Sequence, residues 1–262
     1  MKKKTIYLLA ISITLILLIF LNSKSIRYTG INYNIINKEI SNFQKILELF
    51  ERDQNYRVLV KKIIDNEKDK KKQIINISKW VYQNIRKINY DVIDDIIDSH
   101  PWVIVERRMG VEDQFSDLLS VLFVYSDVNS FFDSDFNAEG NSITFFEYNS
   151  KWSMIDPYYG VYFLNENNEF CNINEHKNKK CFFYHLKFGE ISENLLDTIF
   201  FNKDFKNLKE LDNYYFFMIK DIPNSDKINK KSVYERGGRS HIQKPFHRLI
   251  FQIQRFFNLI EQ

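Results

Sequence analysis

Glycine and proline are scarce in this chain, 7 and 4 of 262 residues. Collagen-like, linker-like and disordered compositions are rich in one or both, so those classes are disfavoured. Excess charge of one sign is also missing. The formal net charge is +3, and setting aside Lys2, Lys3 and Lys4 lowers the 37 basic residues to 34, equal to the 34 acidic ones. A nucleic-acid interface needs basic residues in excess and gathered on one face, so no nucleic-acid partner is expected. The lysine run Lys70 to Lys72 reads as a solvated helix face. Glycine loops for phosphate, the H-E-x-x-H of zinc peptidases and the G-x-S-x-G of hydrolases are all absent. No cofactor is expected.

Apolar and aromatic residues are plentiful, at 44% and 16%. A chain of this length then supports one core of roughly 150 to 230 residues with appendages.

Thr5 to Leu21 (TIYLLAISITLILLIFL) carries no charge and follows three lysines. As a helix it would span about 26 Å, barely a bilayer. The positive-inside rule keeps Lys2 to Lys4 in the cytoplasm and sends the body outward. This reads as an uncleaved signal anchor in the cytoplasmic membrane, single-pass, with residues 5–21 as the membrane contact. A cleaved signal is the alternative, with Ser23 and Ser25 as small residues near its end. Cys171 and Cys181 lie ten residues apart in the exported part, where an oxidising compartment permits a disulfide.

Helical spacing appears in Ile40, Phe43, Ile46, Leu47 and Phe50, after a polar stretch that runs to about Asn37. It recurs from Lys70 to Lys87, in Ile74, Ile77, Trp80, Val81, Asn84 and Ile85, with Ser78 and Lys79 turned outward. Both patterns predict core-facing helices. Trp102 to Val105, after Pro101, reads as a short strand. Gly110 precedes a third helix with Leu118, Leu119 and Leu122 on its apolar face and Asp113 placed to cap it. From Ser142 the period becomes two, giving strands at 142–148 and 151–155 joined by Asn149 and Ser150, and a third at 161–164. Residues 165–180 suggest an exposed loop or an elaborated hairpin tip. Short helices follow at 190–201 and 205–211. A basic link, Arg236 to Arg239, leads to a last amphipathic helix at 245–260.

The succession WVYQNI (80–85), GVEDQFSDLL (110–119) and FFEYNSKWSMIDPYYG (145–160) resembles the bacterial transglutaminase-like family of the papain-like superfamily. In that family a Gly, one residue and a nucleophilic Cys open a helix, a His lies four residues before a Glu on a strand, and an Asp follows in W-x-x-x-D-P. The likeness covers residues 70–165. It implies an α+β, papain-like core of helices on a small antiparallel sheet. The expected layout is a signal anchor at 1–22, linker and helices at 23–69, the core at 70–190 and a helical extension at 191–262.

A thiol at a helix N-terminus, beside an imidazole held by a carboxylate, is a thiolate nucleophile. Carried over by position, the nucleophile falls on Glu112, the base on Ile143 and the orienting carboxylate on Asp156. Only Asp156 keeps the family's residue. Cys171 follows the Asp motif and so cannot take the nucleophile's place in the family's order. The resemblance therefore implies an inactive binding or scaffolding module of the cell envelope, with Trp152, Tyr158 and Tyr159 as candidate aromatic contacts for a peptide, glycan or partner protein. The alternative is a hydrolase acting on a glycan or peptide through Glu112 and Asp156, which needs carboxyls roughly 5 to 9.5 Å apart across a cleft. A plainer account has Glu112 capping its helix and Asp156 bonded to backbone or to Trp152. Cys171, His176, Cys181 and His185 lack the C-x-x-C clasp of zinc sites, so no metal is expected.

Overall fold

The apolar N-terminal run forms one continuous helix, α1 (Lys2–Asn22). Its stretch Lys4–Asn22 has a mean hydropathy of 2.4 and none of it is buried against the body, so it is long and apolar enough to cross a membrane. A signal sequence meets the same description. The computed structural model describes residues 2–31, 34–88, 101–135, 141–220 and 222. The expected basic link at 236–239 and the last helix at 245–260 lie outside them.

Where a polar connector was expected, β1 (Lys24–Ile31) and β2 (Asn34–Ser41) pair antiparallel. Ser41 then caps α2 (Asn42–Ile64): its side chain accepts from Gln44 N–H while the Gln44 side chain accepts from Ser41 N–H. The core-facing part of α2 is its second half, where Tyr56 and Val60 are buried. The earlier stripe is not core-facing: Phe43, Leu47 and Phe50 are each more than half exposed. Spacing reveals an apolar face but not what covers it.

Asp69 caps α3 (Lys70–Asn84), which buries Ile74, Ile77 and Val81. Ser78, expected outward, is also buried, and its hydroxyl donates to the Ile74 carbonyl. Asn84, expected on the buried face, is exposed. The strand expected at 102–105 is instead the helix α4 (Trp102–Arg107). Pro101 fixes a helical φ of −63° at its start, and proline is favoured where a helix begins because no partner for its missing N–H is needed there.

The short strands β3 (Arg86–Lys87) and β4 (Met109–Gly110) pair in parallel and lead into α5 (Glu112–Tyr125). Six strands follow: β5 (Ser130–Asp135), β6 (Asn141–Tyr148), β7 (Lys151–Asp156), β8 (Val161–Leu164), β9 (Phe182–His185) and β10 (Gly189–Glu190). They form one antiparallel sheet in chain order. Asn149 and Ser150, at φ of 50° and 59°, make the β6–β7 turn. Two positive φ values in a row match the right-handed twist of a tight hairpin.

The β8–β9 connection is the elaborated kind. It carries α6 (Ile173–Lys177) and a disulfide between Cys171 and Cys181, whose Cα atoms are 5.8 Å apart. It is anchored by the buried Phe170 and Ile173, so it is not simply exposed. A 3-10 turn at Glu193–Leu195, α7 (Leu196–Ile199) and α8 (Leu208–Ile219) complete the described body. One face of the sheet packs on α5, through Phe123 against Phe146, and the other receives α8, through Tyr215 against Phe163.

Candidate functional site

Glu112 is the first residue of α5, with Val111 at the cap position and Gln114 Oε1 accepting from Val111 N–H. The cap therefore belongs to neither acid, and Asp113 stands inside the first turn. Glu112 is directed across to the sheet, where its Oε1 accepts from Ser142 N–H at 3.3 Å. Two further bonds fix α5 to β6: Ser116 Oγ donates to the Ser142 carbonyl, and Thr144 Oγ1 donates to the Ser116 carbonyl. Ser142 and Thr144 thus face α5. Strand alternation turns Ile143, between them, to the other face.

Asp156 ends β7. Thr144 pairs with Ile155, so Asp156 comes next to Ile143 one step along the ladder. Its Oδ1 accepts from Tyr159 N–H at 2.9 Å and its Oδ2 from the Tyr215 hydroxyl at 3.0 Å. Both oxygens are occupied, by backbone and by α8, not by Trp152. Asp156 is fully buried, and Glu112 is 7% exposed.

The parallel pairing of β3 with β4 sets Lys87 opposite Gly110, two residues before Glu112. Its Nζ lies 4.6 Å from the ring centre of Tyr82, 5.2 Å from Tyr158, 5.4 Å from Phe201 and 6.0 Å from Tyr159. Such distances place an ammonium within reach of ring quadrupoles. Burial lowers the Lys87 pKa to about 8, against the attraction of Asp156.

Burial raises both carboxyls above the ordinary range. For Glu112 the negative charge of Asp156 adds to the rise, while the Ser142 N–H and Lys203 oppose it. For Asp156 the bonds from Tyr159 and Tyr215 and the charge of Lys87 oppose it. Asp156 is the better supported anion of the pair, and Glu112 is the acid that keeps its proton.

His185 closes the cluster from β9. Its Nδ1 accepts from the N–H groups of Lys187 and Phe188 at 3.1 and 3.2 Å, which assigns the ring proton to Nε2, 3.2 Å from the Tyr82 hydroxyl. Burial, and then Lys87, lower its pKa to about 4, so it is neutral at physiological pH. Gly160 makes this approach feasible. At φ +74° it turns β7 into β8, and a Cβ there would come within 2.8 Å of the Tyr82 ring.

Of the predicted residues, Glu112, Ile143 and Asp156 come together at one end of β6 and β7. Tyr158 and Tyr159 join them, but as interior residues, 3% and 0% exposed, which corrects the expectation of an aromatic surface. The sequence WSMIDPYYG folds their rings back onto Asp156, Phe115 and Phe200. Trp152 stands apart on the sheet, 5.1 Å from Phe131. Cys171 and Cys181 are bonded to each other, and His176 is buried against Phe163, away from His185. Among the described residues no cluster of three His, Cys, Asp or Glu side chains suits a metal ion.

Sequence reasoning missed Lys87, Tyr82, His185 and Tyr215. Each reaches the site through a long-range pairing, and no local spacing marks any of them. No family model matches the chain, and no curated protein sequence is significantly similar to it.

Proposed function

We propose that the chain is a catalytically inactive, transglutaminase-like binding module, held by α1 at the outer face of a cytoplasmic membrane. The observation that carries this reading is the meeting of Glu112, at the start of α5, with Ile143 and Asp156 on the β6–β7 hairpin. An acid stands where the family's thiol would be, and an isoleucine where its imidazole would be. An isoleucine accepts no proton, and a carboxyl that retains its own is a poor nucleophile. The aromatic shell around Lys87 and the buried bonds of Asp156 supply rigidity to such a scaffold. The ligand class left open is a peptide, a glycan or an envelope protein. The disulfide suits an oxidising compartment outside the cytoplasm, and Lys2 to Lys4 suit the inner side.

Restoring the lost groups tests the positional reading. In the double variant Glu112→Cys with Ile143→His, the thiolate absorbance should titrate below the ordinary thiol value of about 8.5. It should also titrate lower than in Glu112→Cys alone. Equal titration of the two would show that position 143 does not serve position 112, and would remove the family reading.

One observation favours a second reading, an acid–base hydrolase: a protonated Glu112 beside an ionised Asp156 has the form of a catalytic pair. Their burial, and the two bonds that occupy Asp156, count against it. Product release from a glycan or peptide by the wild type, abolished in Glu112→Gln, would reverse the order of the two readings.

A further inference from the structure

The first quarter of α2 carries an apolar face that the body leaves open. Phe43, Ile46, Leu47 and Phe50 recur at the three- and four-residue spacing of one helix face, and they are 51%, 38%, 51% and 57% exposed. Tyr56 and Val60, which turn α2 into the core, lie on a different face of the same helix. The open face does not stay apolar. Continued at helical spacing, it meets Gln54, Arg57 and Lys61, all exposed.

What sets this stripe apart from an ordinary exposed patch is its attachment. Asn42, the first residue of α2, donates from Nδ2 to the Phe20 carbonyl at 3.0 Å and to Ser23 Oγ at 2.8 Å. Its backbone N–H donates to the Ser23 carbonyl at 2.9 Å. The start of α2 is thus bonded to the last turn of α1. Phe43 to Phe50 all lie within about 12 Å of that junction, measured along the helix.

We infer that this face rests in the interfacial layer of the bilayer that α1 enters, a lipid contact separate from the anchor. The inference rests on the reading of α1 as a membrane span, and not on the reading of the Glu112 site. The headgroup region on each side of the hydrocarbon is roughly 5 to 8 Å deep, the difference between full and hydrocarbon thickness shared by two faces. An inclined α2 would sink Phe43, Ile46, Leu47 and Phe50 into that layer and lift Arg57 and Lys61 to the phosphate level. Apolar residues nearest the anchor with cations beyond them is the order that an interfacial helix requires. The contact fixes the tilt of the body, and so the direction in which its sheet and site face.

The test uses the full chain in phosphatidylcholine–phosphatidylglycerol bilayers. Single variants Leu47→Cys, Lys45→Cys and Ile13→Cys carry a nitroxide, and collision with oxygen is compared with collision with a water-soluble nickel chelate. Leu47 should favour oxygen over nickel roughly threefold or more relative to Lys45, which is exposed on another side of α2 at the same height. Ile13 should lie deepest. If Ile13 is in lipid but Leu47 meets nickel as freely as Lys45, the lipid contact is refuted and the anchor stands. If Ile13 meets nickel, the span reading fails and takes this inference with it. If Leu47 is shielded from both reagents, another surface covers the stripe and the inference is overturned. Dipolar broadening between labels would then identify a second copy.

Discussion

Glu112 shows most plainly how one side chain records its surroundings. Its pKa is raised in the fold above the ordinary carboxyl value of about 4.3, with burial the main cause and Asp156 the next. The folded state then holds a proton that the unfolded chain releases, so this group's contribution is full below the unfolded value. It is lost as pH rises through the folded one. Glu112→Gln keeps the shape and cannot ionise. Its melting temperature relative to wild type is expected to climb steadily from about pH 5 to about pH 9, and a flat difference would show that Glu112 ionises freely. Glu112, Ile143 and Asp156 were legible as neighbours because the resemblance supplied their order. Lys87 was not, because its place depends on the pairing of β3 with β4 across an intervening segment, and nothing in KINY announces that partner. Tyr158 and Tyr159 were legible as aromatic but not as buried, since side-chain direction after Asp156 depends on the turn that Gly160 closes.

Elements were read where local rules and packing agree. Lys70–Asn84 has an acidic cap, apolar spacing and a buried face, and all three point to one helix. The β6–β7 hairpin has alternation on both strands and two turn residues that accept positive φ. The reading failed at α4, where Pro101 was taken to open an extended segment although its ring also suits a helix start. It failed again at β1 and β2, whose polar residues carry no alternation to read. At the β8–β9 connection the staple is covalent. The disulfide closes a loop of ten residues, and a loop of that size is worth about 2–3 kcal/mol in the chain-entropy model. Cys171→Ser with Cys181→Ser is expected to lower unfolding free energy by about that amount in denaturant titrations. Addition of a reductant to the wild type should reproduce the loss, and should leave the double variant unchanged.

For the molecule entire, the span and the body make a claim about sides. With Lys2 to Lys4 inside, protease added to intact cells stripped of outer barriers should degrade the body and leave a short fragment containing α1 in the membrane. Protection of the body until the membrane is broken would place it in the cytoplasm and undo the topology. Removal of the protein by carbonate washing would instead mean that α1 had been cleaved away.

The sheet runs β5, β6, β7, β8, β9, β10 with each strand beside its predecessor. No strand has to wait for one made later, and each closure spans a short loop, which is the cheap and fast kind. A chain delivered N-terminus first across a membrane presents its strands in that same sequence. The order of arrival is therefore also an order of assembly, and the incomplete sheet at any moment has a single growing edge, the one the next strand will cover.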